Sequence, residues 1–330
     1  MPDENTGLQI FDAVQKYAKP VLSLAKAIGP FILAQSKLAS ENYENFKLNK
    51  ERLEALSVFL REESQRLAEE RSQLRKLMFE SNGLERVQAE HNYNLLTREL
   101  NKLSTIDKIK DFIKHDEDIQ SSESISDVWV EQFNKLASSL NEEWRKQLLA
   151  KAFATELKNP GAMSLVVLNS IGNFDEKSFR YFGALINRSI RMQELNLLPI
   201  GSKTMSAIYD IDGELVSRST IEYSLAHLNL IDDSDKRVIN VIEKKPTYFR
   251  YGRRVLVVTT KTNISSSPGI PGKLFTPLGN SIAQLYDREI IPDGNENLNF
   301  FFDYIKNERE AVYSIGEIEL SDADYEYLGN

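Results

Sequence analysis

At 330 residues, with 41% hydrophobic and 9% aromatic side chains, the chain can bury a core and hold two or three domains, which excludes global disorder. It has no cysteine, so disulfides, thiol nucleophiles and thiolate metal sites are excluded and a cytoplasmic setting is expected. A formal net charge of −8 opposes whole-surface attraction to nucleic acid or anionic lipid, which leaves only a local basic patch for such partners.

With the acidic run Pro2-Asp3-Glu4 at its start, no secretory leader is expected. Residues 1–40 read as apolar N-terminal helices, with Leu8, Phe11, Val14, Val21, Leu24, Ile28, Phe31 and Leu33 among residues 8–40, and the stretch between Lys19 and Lys37 is the most apolar window. Pro20, Gly29 and Pro30 break it well short of the roughly 20 unbroken apolar residues of a membrane span. Short helices packed on the protein are expected here; the sharper alternative is peripheral membrane contact through residues 8–38.

Residues 41–106 read as a long helical hairpin. The first arm is rich in Glu, Arg, Lys, Gln and Leu without Gly or Pro, Ser81-Asn82-Gly83 interrupts it, and Leu84 to Leu103 restart a helical period that folds back. Leu53, Leu60, Leu67 and Leu74 fall seven apart and are the candidates for self-association; Glu63 and Glu70 occupy intervening core positions, so the heptad is imperfect. Residues 107–124 are an acidic, Ser-rich connector in which Asp116-Glu117-Asp118 reads as a solvated loop rather than a cation site.

Residues 125–200 form a central helical domain. Val128, Phe133, Leu136, Leu140, Trp144, Leu148, Leu149, Phe153 and Leu157 give an amphipathic stripe, Asn159-Pro160-Gly161 stops it, and Asp175 is placed to cap the next helix. Leu195 to Gly201 is read as closing this helical half. Residues 201–290 change character: a short helix around Ile221 to Leu228, β-branched runs at 238–242 and 255–260, and a last helix capped by Thr276 with Pro277 at its first position. The tail, 291–330, carries Phe300-Phe301-Phe302, a strand-like 311–320 and an acidic end from Asp322 to Glu326.

The layout Asp127-x-Trp129-x-x-x-Phe133, then Glu142-Glu143 leading to Leu148-Leu149-Ala150 and Glu156-Leu157-Lys158-Asn159-Pro160-Gly161, then Phe174 to Phe182, resembles the bacterial family of unknown function DUF2806. In style it is similar to the abortive-infection alpha family of phage defence. What the resemblance implies is a defence component that recognises a phage-derived or protein partner, and a winged-helix-like C-terminal module. The fold class expected is therefore mainly α: an N-terminal long helical hairpin, a central helical domain, and a C-terminal winged-helix-like α+β module.

No reaction centre is signalled. His91, His115 and His227 are far apart, no P-loop or Gly-x-Ser-x-Gly occurs, and Gly269-Ile270-Pro271-Gly272-Lys273 lacks the strand-to-helix setting of a phosphate loop. Glu142 and Glu143 are explained by a helix start. No catalytic residue, metal or cofactor is assigned. The feature that invites a functional reading is 236–261, where eight basic residues meet the single acid Glu243. Lys244, Lys245, Tyr248, Phe249, Arg250, Tyr251, Arg253 and Arg254 combine phosphate attraction with stacking surfaces and are the candidate contacts for a polyanion or a protein partner. In the competing reading Phe249 is core and the basic groups pair with the acidic tail. A winged-helix DNA-binding regulator and a membrane-acting effector are the alternatives to the defence component.

Overall fold

The structure, a computed structural model, describes residues 19–29, 48–115, 117–119, 123–199, 207–232, 238–239, 246–261, 270–308 and 310–328. They are mainly helical, with an antiparallel sheet near the C-terminus. The chain divides into two compact units, Met1–Asn173 and Phe174–Asn330. The boundary falls inside 125–200, so that stretch contributes to both.

In the N-terminal unit, α1 (Lys19–Ile28) buries Leu24, Ala25, Ala27 and Ile28 and packs on α4 (Asp127–Ser139). The Ser23 hydroxyl accepts the Ile125 amide at 3.0 Å, and Lys26 pairs with Asp127. Gly29 ends the helix at φ 93°, a left-handed cap that glycine takes without strain. Those four side chains of the 8–38 segment are thus already covered by protein; residues 8–18 and 30–38 lie outside the described residues.

The hairpin forms as the composition predicts. Helix α2 (Lys50–Glu80) is capped by Asn49, whose side chain accepts the Arg52 amide at 3.1 Å, and it packs along α3 (Gly83–Asp107) after the break at Ser81 and Asn82. Its base is buried through Leu53, Leu56, Ser57 and Leu60, and burial on α2 stops there. The base is also stapled by Asp107, which accepts from the Ser57 hydroxyl, Arg61 and Lys110. Burial pushes the Asp107 carboxyl up, but the Ser57 hydroxyl, Lys110 and Arg61 outweigh it and leave its pKa below the ordinary value.

A short 3-10 turn (Lys108–Phe112) leads on towards α4, α5 (Glu143–Lys158) and α6 (Leu165–Asn173). Helix α5 is buried over most of its circumference, as a central helix is: Leu148, Leu149, Ala152, Phe153, Ala154 and Leu157 are all buried, and so are Lys146 and Glu156. Phe153 sits against Trp129 and Phe133, with ring centroids at 5.6 and 4.7 Å. Val128, expected on the buried stripe, instead faces solvent, because α4 turns Trp129, Val130, Phe133 and Ala137 inward. The Asn159-Pro160-Gly161 stop is held by the buried Glu156 carboxylate, which accepts the Gly161 and Met163 amides at 2.6 and 2.8 Å. Trp129 Nε1 donates to the Met163 carbonyl at 2.6 Å, locking the same loop.

The C-terminal unit opens with α7 (Glu176–Ile186), capped by Asp175 through the Ser178 amide at 2.6 Å. That backbone hydrogen bond, with a second from the Ser178 hydroxyl, lowers the Asp175 pKa. The sign follows: the cap is fully effective above the unfolded carboxyl value of about 3.9 and is lost as pH falls through the depressed folded value. Asp175→Ala is therefore expected to cost about 1 kcal/mol at neutral pH and progressively less below about pH 4. Urea unfolding of the two proteins across that pH range checks it; a difference that does not shrink in acid would assign the stabilisation to something other than the ionised cap.

The close of the helical half, read at Leu195 to Gly201, instead begins with a strand: β2 (Leu195–Pro199) pairs with β1 (Ile190–Met192) just before it. A separate hairpin, β3 (Ile208–Ile211) and β4 (Glu214–Ser217), turns at Asp212-Gly213, both with positive φ. Then come α8 (Arg218–Ala226), β5 (Val238–Ile239), β6 (Thr247–Tyr251), β7 (Arg254–Thr260), β8 (Ile270–Leu274), α9 (Pro277–Ala283), α10 (Pro292–Glu308), β9 (Tyr313–Glu319) and α11 (Asp322–Leu328). Thr276 caps α9 with Pro277 at its first position, as predicted. The seven-stranded antiparallel sheet runs β5-β8-β2-β1-β6-β7-β9. Strands β6 and β7, expected as a projecting wing, are therefore interior strands.

One face of this sheet is covered by α10, a helix that the tail was not expected to contain. Leu298, Phe301 and Ile305 lie on one side of it and meet Ile190, Leu197, Phe249, Tyr251, Leu256, Val258 and Tyr313. Gly294 lets α10 approach: a Cβ there would stand 1.9 Å from Tyr251 Cζ.

Candidate functional site

Strand alternation sorts the predicted basic hairpin into two faces. Phe249 is fully buried and packs against Phe301 with tilted rings whose centroids are 4.6 Å apart, and Tyr251 is buried with its hydroxyl donating to the Asn187 carbonyl at 2.6 Å. Both rings are core, which corrects their assignment as stacking contacts. Tyr248, on the opposite face, is 47% exposed. Arg254 donates to Glu317 at 2.6 Å and Asn299 at 2.8 Å; Arg253, in the turn that Gly252 opens at φ 57°, pairs with Asp322 and lies over the Tyr325 ring. The acidic end thus meets Arg253, as the competing reading held, whereas Arg254 is held by Glu317 and Asn299 upstream of it. Lys236, Arg237, Lys244 and Lys245 lie outside the described residues.

The remaining arginine of the hairpin, Arg250, leads to a site that the sequence did not single out. It is the direct cross-strand partner of Arg191, and Arg191 in turn faces Asn196, so the three share one face of β6, β1 and β2. Like charges opposite one another in a sheet repel. Arg288, only 9% exposed, reaches the same row: its guanidinium donates to the Ser189 carbonyl at 2.7 Å, the Ser189 hydroxyl at 3.1 Å and Asn196 Oδ1. Asn196 is fixed by Asn280, whose Oδ1 accepts its amide at 2.8 Å and its Nδ2 at 2.9 Å. Burial and the positive charge of Arg191 push the Arg288 pKa down to about 9, with Arg250 contributing; burial and Arg191 also lower that of Arg250. Arg250 Nη1 is buried with no hydrogen-bond partner, a state that costs about 1–3 kcal/mol. A cavity of about 150 Å³ opens beside the row, lined by Arg191, Glu194, Asn196, Gln284, Tyr286 and Arg288.

The distal half of the helical hairpin presents a second surface. Phe79 and Leu84 are each 83% exposed, and Leu77, Val87 and Leu95 are exposed as well. A groove of about 660 Å³ between the helices has Leu74, Leu77, Leu95 and Leu96 in its walls, with Glu70, Glu80 and Lys76 among the polar lining. Of the four heptad leucines, Leu53 and Leu60 are buried within the hairpin base and are not available to a partner, whereas Leu67 and Leu74 are half-buried. Of the leucine row that sequence spacing placed along the whole of α2, only the outer half is thus accessible.

The other chemical candidates resolve into structural pairs. His91, His115 and His227 are all exposed. Lys273, from the glycine-flanked run, sits on β8 and donates to Glu222 at 2.8 Å, while Glu222 also accepts from the buried Arg218 at 2.6 Å. Glu142 and Glu143 occupy the start of α5 and pair with Arg145 and Lys108. Among the described residues no group of three or more His, Asp or Glu is arranged to hold a metal ion, and no helix is long and apolar enough to cross a membrane. A cleft of about 510 Å³ in the C-terminal unit has acidic residues in its wall, of which Asp293 pairs with Arg188 at 2.8 Å and Asp212 with Arg180 at 2.5 Å.

Comparison with curated proteins and with solved structures finds no match. Residues 85–293 match the family described as Protein of unknown function (DUF2806). That stretch runs from the second hairpin helix through the arginine row to the start of α10 and is more than half of the chain, so the protein belongs to the DUF2806 family.

Proposed function

We propose that this chain is a contact protein without a reaction centre, an abortive-infection-like defence component that assembles with copies of itself and meets a macromolecular partner. The defence setting comes from the resemblance of residues 123–182 alone. The observation that carries the assembly reading is the apolar outer half of the hairpin. An exposed cluster containing Phe79, Leu84, Val87 and Leu95 is what solvent-facing helices avoid unless another surface covers it. Charges of both signs line the adjoining groove, so a two-fold arrangement can set Lys76 of one copy against Glu80 of the next. A 31-residue helix spans about 46 Å, which keeps this end away from the buried hairpin base.

Light-scattering mass measurement of the purified full chain tests this. The wild type is expected above the monomer mass at micromolar concentration. The triple variant Phe79→Gln, Leu84→Gln, Val87→Gln is expected at the monomer mass with unchanged far-UV circular dichroism. A monomeric wild type, or a variant that assembles as before, would remove the proposal.

A further inference from the structure

Strand β9 closes one side of the sheet, and among the described residues no strand lies beyond it. The Lys261 amide donates to the Val312 carbonyl at 2.7 Å and the Leu320 amide to the Arg253 carbonyl at 2.9 Å. In the unbroken register between them, the even-numbered residues of β9 therefore bond to β7, and the N–H and C=O groups of Ile315, Glu317 and Glu319 point outward. Sheet edges are blunted by shortness, proline, lysine or a bulge. The opposite edge, β5, is two residues long among the described residues, whereas β9 keeps its register over seven and carries no proline, lysine or bulge. Helix α11 turns inward from the end of β9, where Asp322 pairs with Arg253 and Tyr325 lies over the same guanidinium.

The side chains along this edge set what it can accept. Glu317 and Glu319 are exposed and project to the side of α10, where opposite charge on an added strand would be favourable. Gly316 and Ile318 project to the other face, Ile318 51% exposed. A Cβ at Gly316 would meet nothing within 4 Å and the register is regular there, so neither crowding nor a bulge within the chain calls for glycine. Glycine inside a strand is the mark of a second backbone coming close, and an aromatic ring opposite an edge glycine covers the gap it leaves. Such a ring would also meet Val257, the cross-strand partner of Gly316, with the exposed Tyr248 next in the row.

We propose that the outer edge of β9 receives an extended segment of a partner protein as a further antiparallel strand, with basic residues opposite Glu317 and Glu319, an apolar residue opposite Ile318 and an aromatic one opposite Gly316. Main-chain hydrogen bonds hold the segment and its alternating side chains select it. This gives the macromolecular partner proposed above its chemistry and rests on that part of the reading; it does not depend on self-assembly.

Fluorescence anisotropy of a labelled, end-capped peptide, Thr-Lys-Val-Lys-Phe-Thr, titrated with the full chain is the direct test. In antiparallel register its lysines face Glu319 and Glu317 and its phenylalanine faces Gly316. The wild type is expected to bind it. Two control peptides keep its charge: the same residues reordered as Lys-Lys-Thr-Phe-Val-Thr, and the original N-methylated at both lysines, which removes the amides that would donate to β9. Both are expected to bind about tenfold or more weakly. Glu319→Pro removes an amide that points away from β7, so it is expected to unfold at the wild-type temperature and to bind the peptide about tenfold more weakly. Should Glu319→Pro fold poorly, Glu319→Lys keeps the backbone; it is expected to weaken the original peptide and to recover binding when the first lysine of the peptide is replaced by glutamate. A wild type that ignores the peptide, control peptides that bind equally well, or binding unchanged in Glu319→Lys would overturn the proposal. The oligomer mass is read separately, so a failure here removes the strand partner and leaves the assembly reading to its own measurement.

Discussion

Phe153→Ala is expected to lower the unfolding free energy by about 3–5 kcal/mol. The ring is fully buried on the central helix α5 and touches Trp129 and Phe133, so its removal opens a cavity walled by rigid aromatic rings on α4. Both tryptophans, Trp129 and Trp144, belong to the N-terminal unit, so urea unfolding followed by tryptophan fluorescence reads this loss where it occurs. Phe153→Leu, which keeps much of the volume, is expected to cost markedly less. Equal costs for the two would mean that ring packing is not what α5 contributes.

In the C-terminal unit the largest single-residue effect is expected at Glu222. Its carboxylate accepts from Arg218 Nε at 2.6 Å and Lys273 Nζ at 2.8 Å, joining α8 to β8. Arg218 is almost entirely buried and also donates to the Pro199 carbonyl at 2.8 Å, so it cannot turn to water when its partner is neutralised. Glu222→Gln is isosteric and leaves two positive groups facing an uncharged amide, at a cost of about 3–5 kcal/mol. Urea unfolding followed by far-UV circular dichroism measures it. A loss under about 1 kcal/mol would put this triad with ordinary exposed ion pairs.

What could be read from the sequence was local. Asp175, Thr276 with Pro277, and the Ser81 to Gly83 break are each defined by neighbours within four residues, and each forms where expected. The family was legible for the same reason, since its motifs sit on consecutive helices. Sheet partners were not legible: β1 pairs with β6 some sixty residues later, and β7 with β9, and no short-range signal announces either. That is why Phe249 and Tyr251 read as surface rings although alternation left the point open. It is also why Arg191 and Arg288 went unnoticed until topology set them beside Arg250. Two local signals were available and unused. Asp212-Gly213 between alternating apolar residues marks the β3–β4 hairpin. The spacing of Leu298, Phe301 and Ile305 after Pro292 marks α10, the helix that closes the core.

The order of pairing has a consequence for how the protein is made. All helices of the N-terminal unit precede residue 174, so that unit can mature while synthesis continues. The sheet has a different timetable. Strand β7 gains its outer neighbour only when residues 313–319 have emerged, and Tyr313 is one of the side chains its core is waiting for. Until then β7 offers an unguarded edge to neighbouring nascent chains, which makes the stretch between residue 260 and residue 319 the interval in which a ribosome-bound chain has most need of a chaperone.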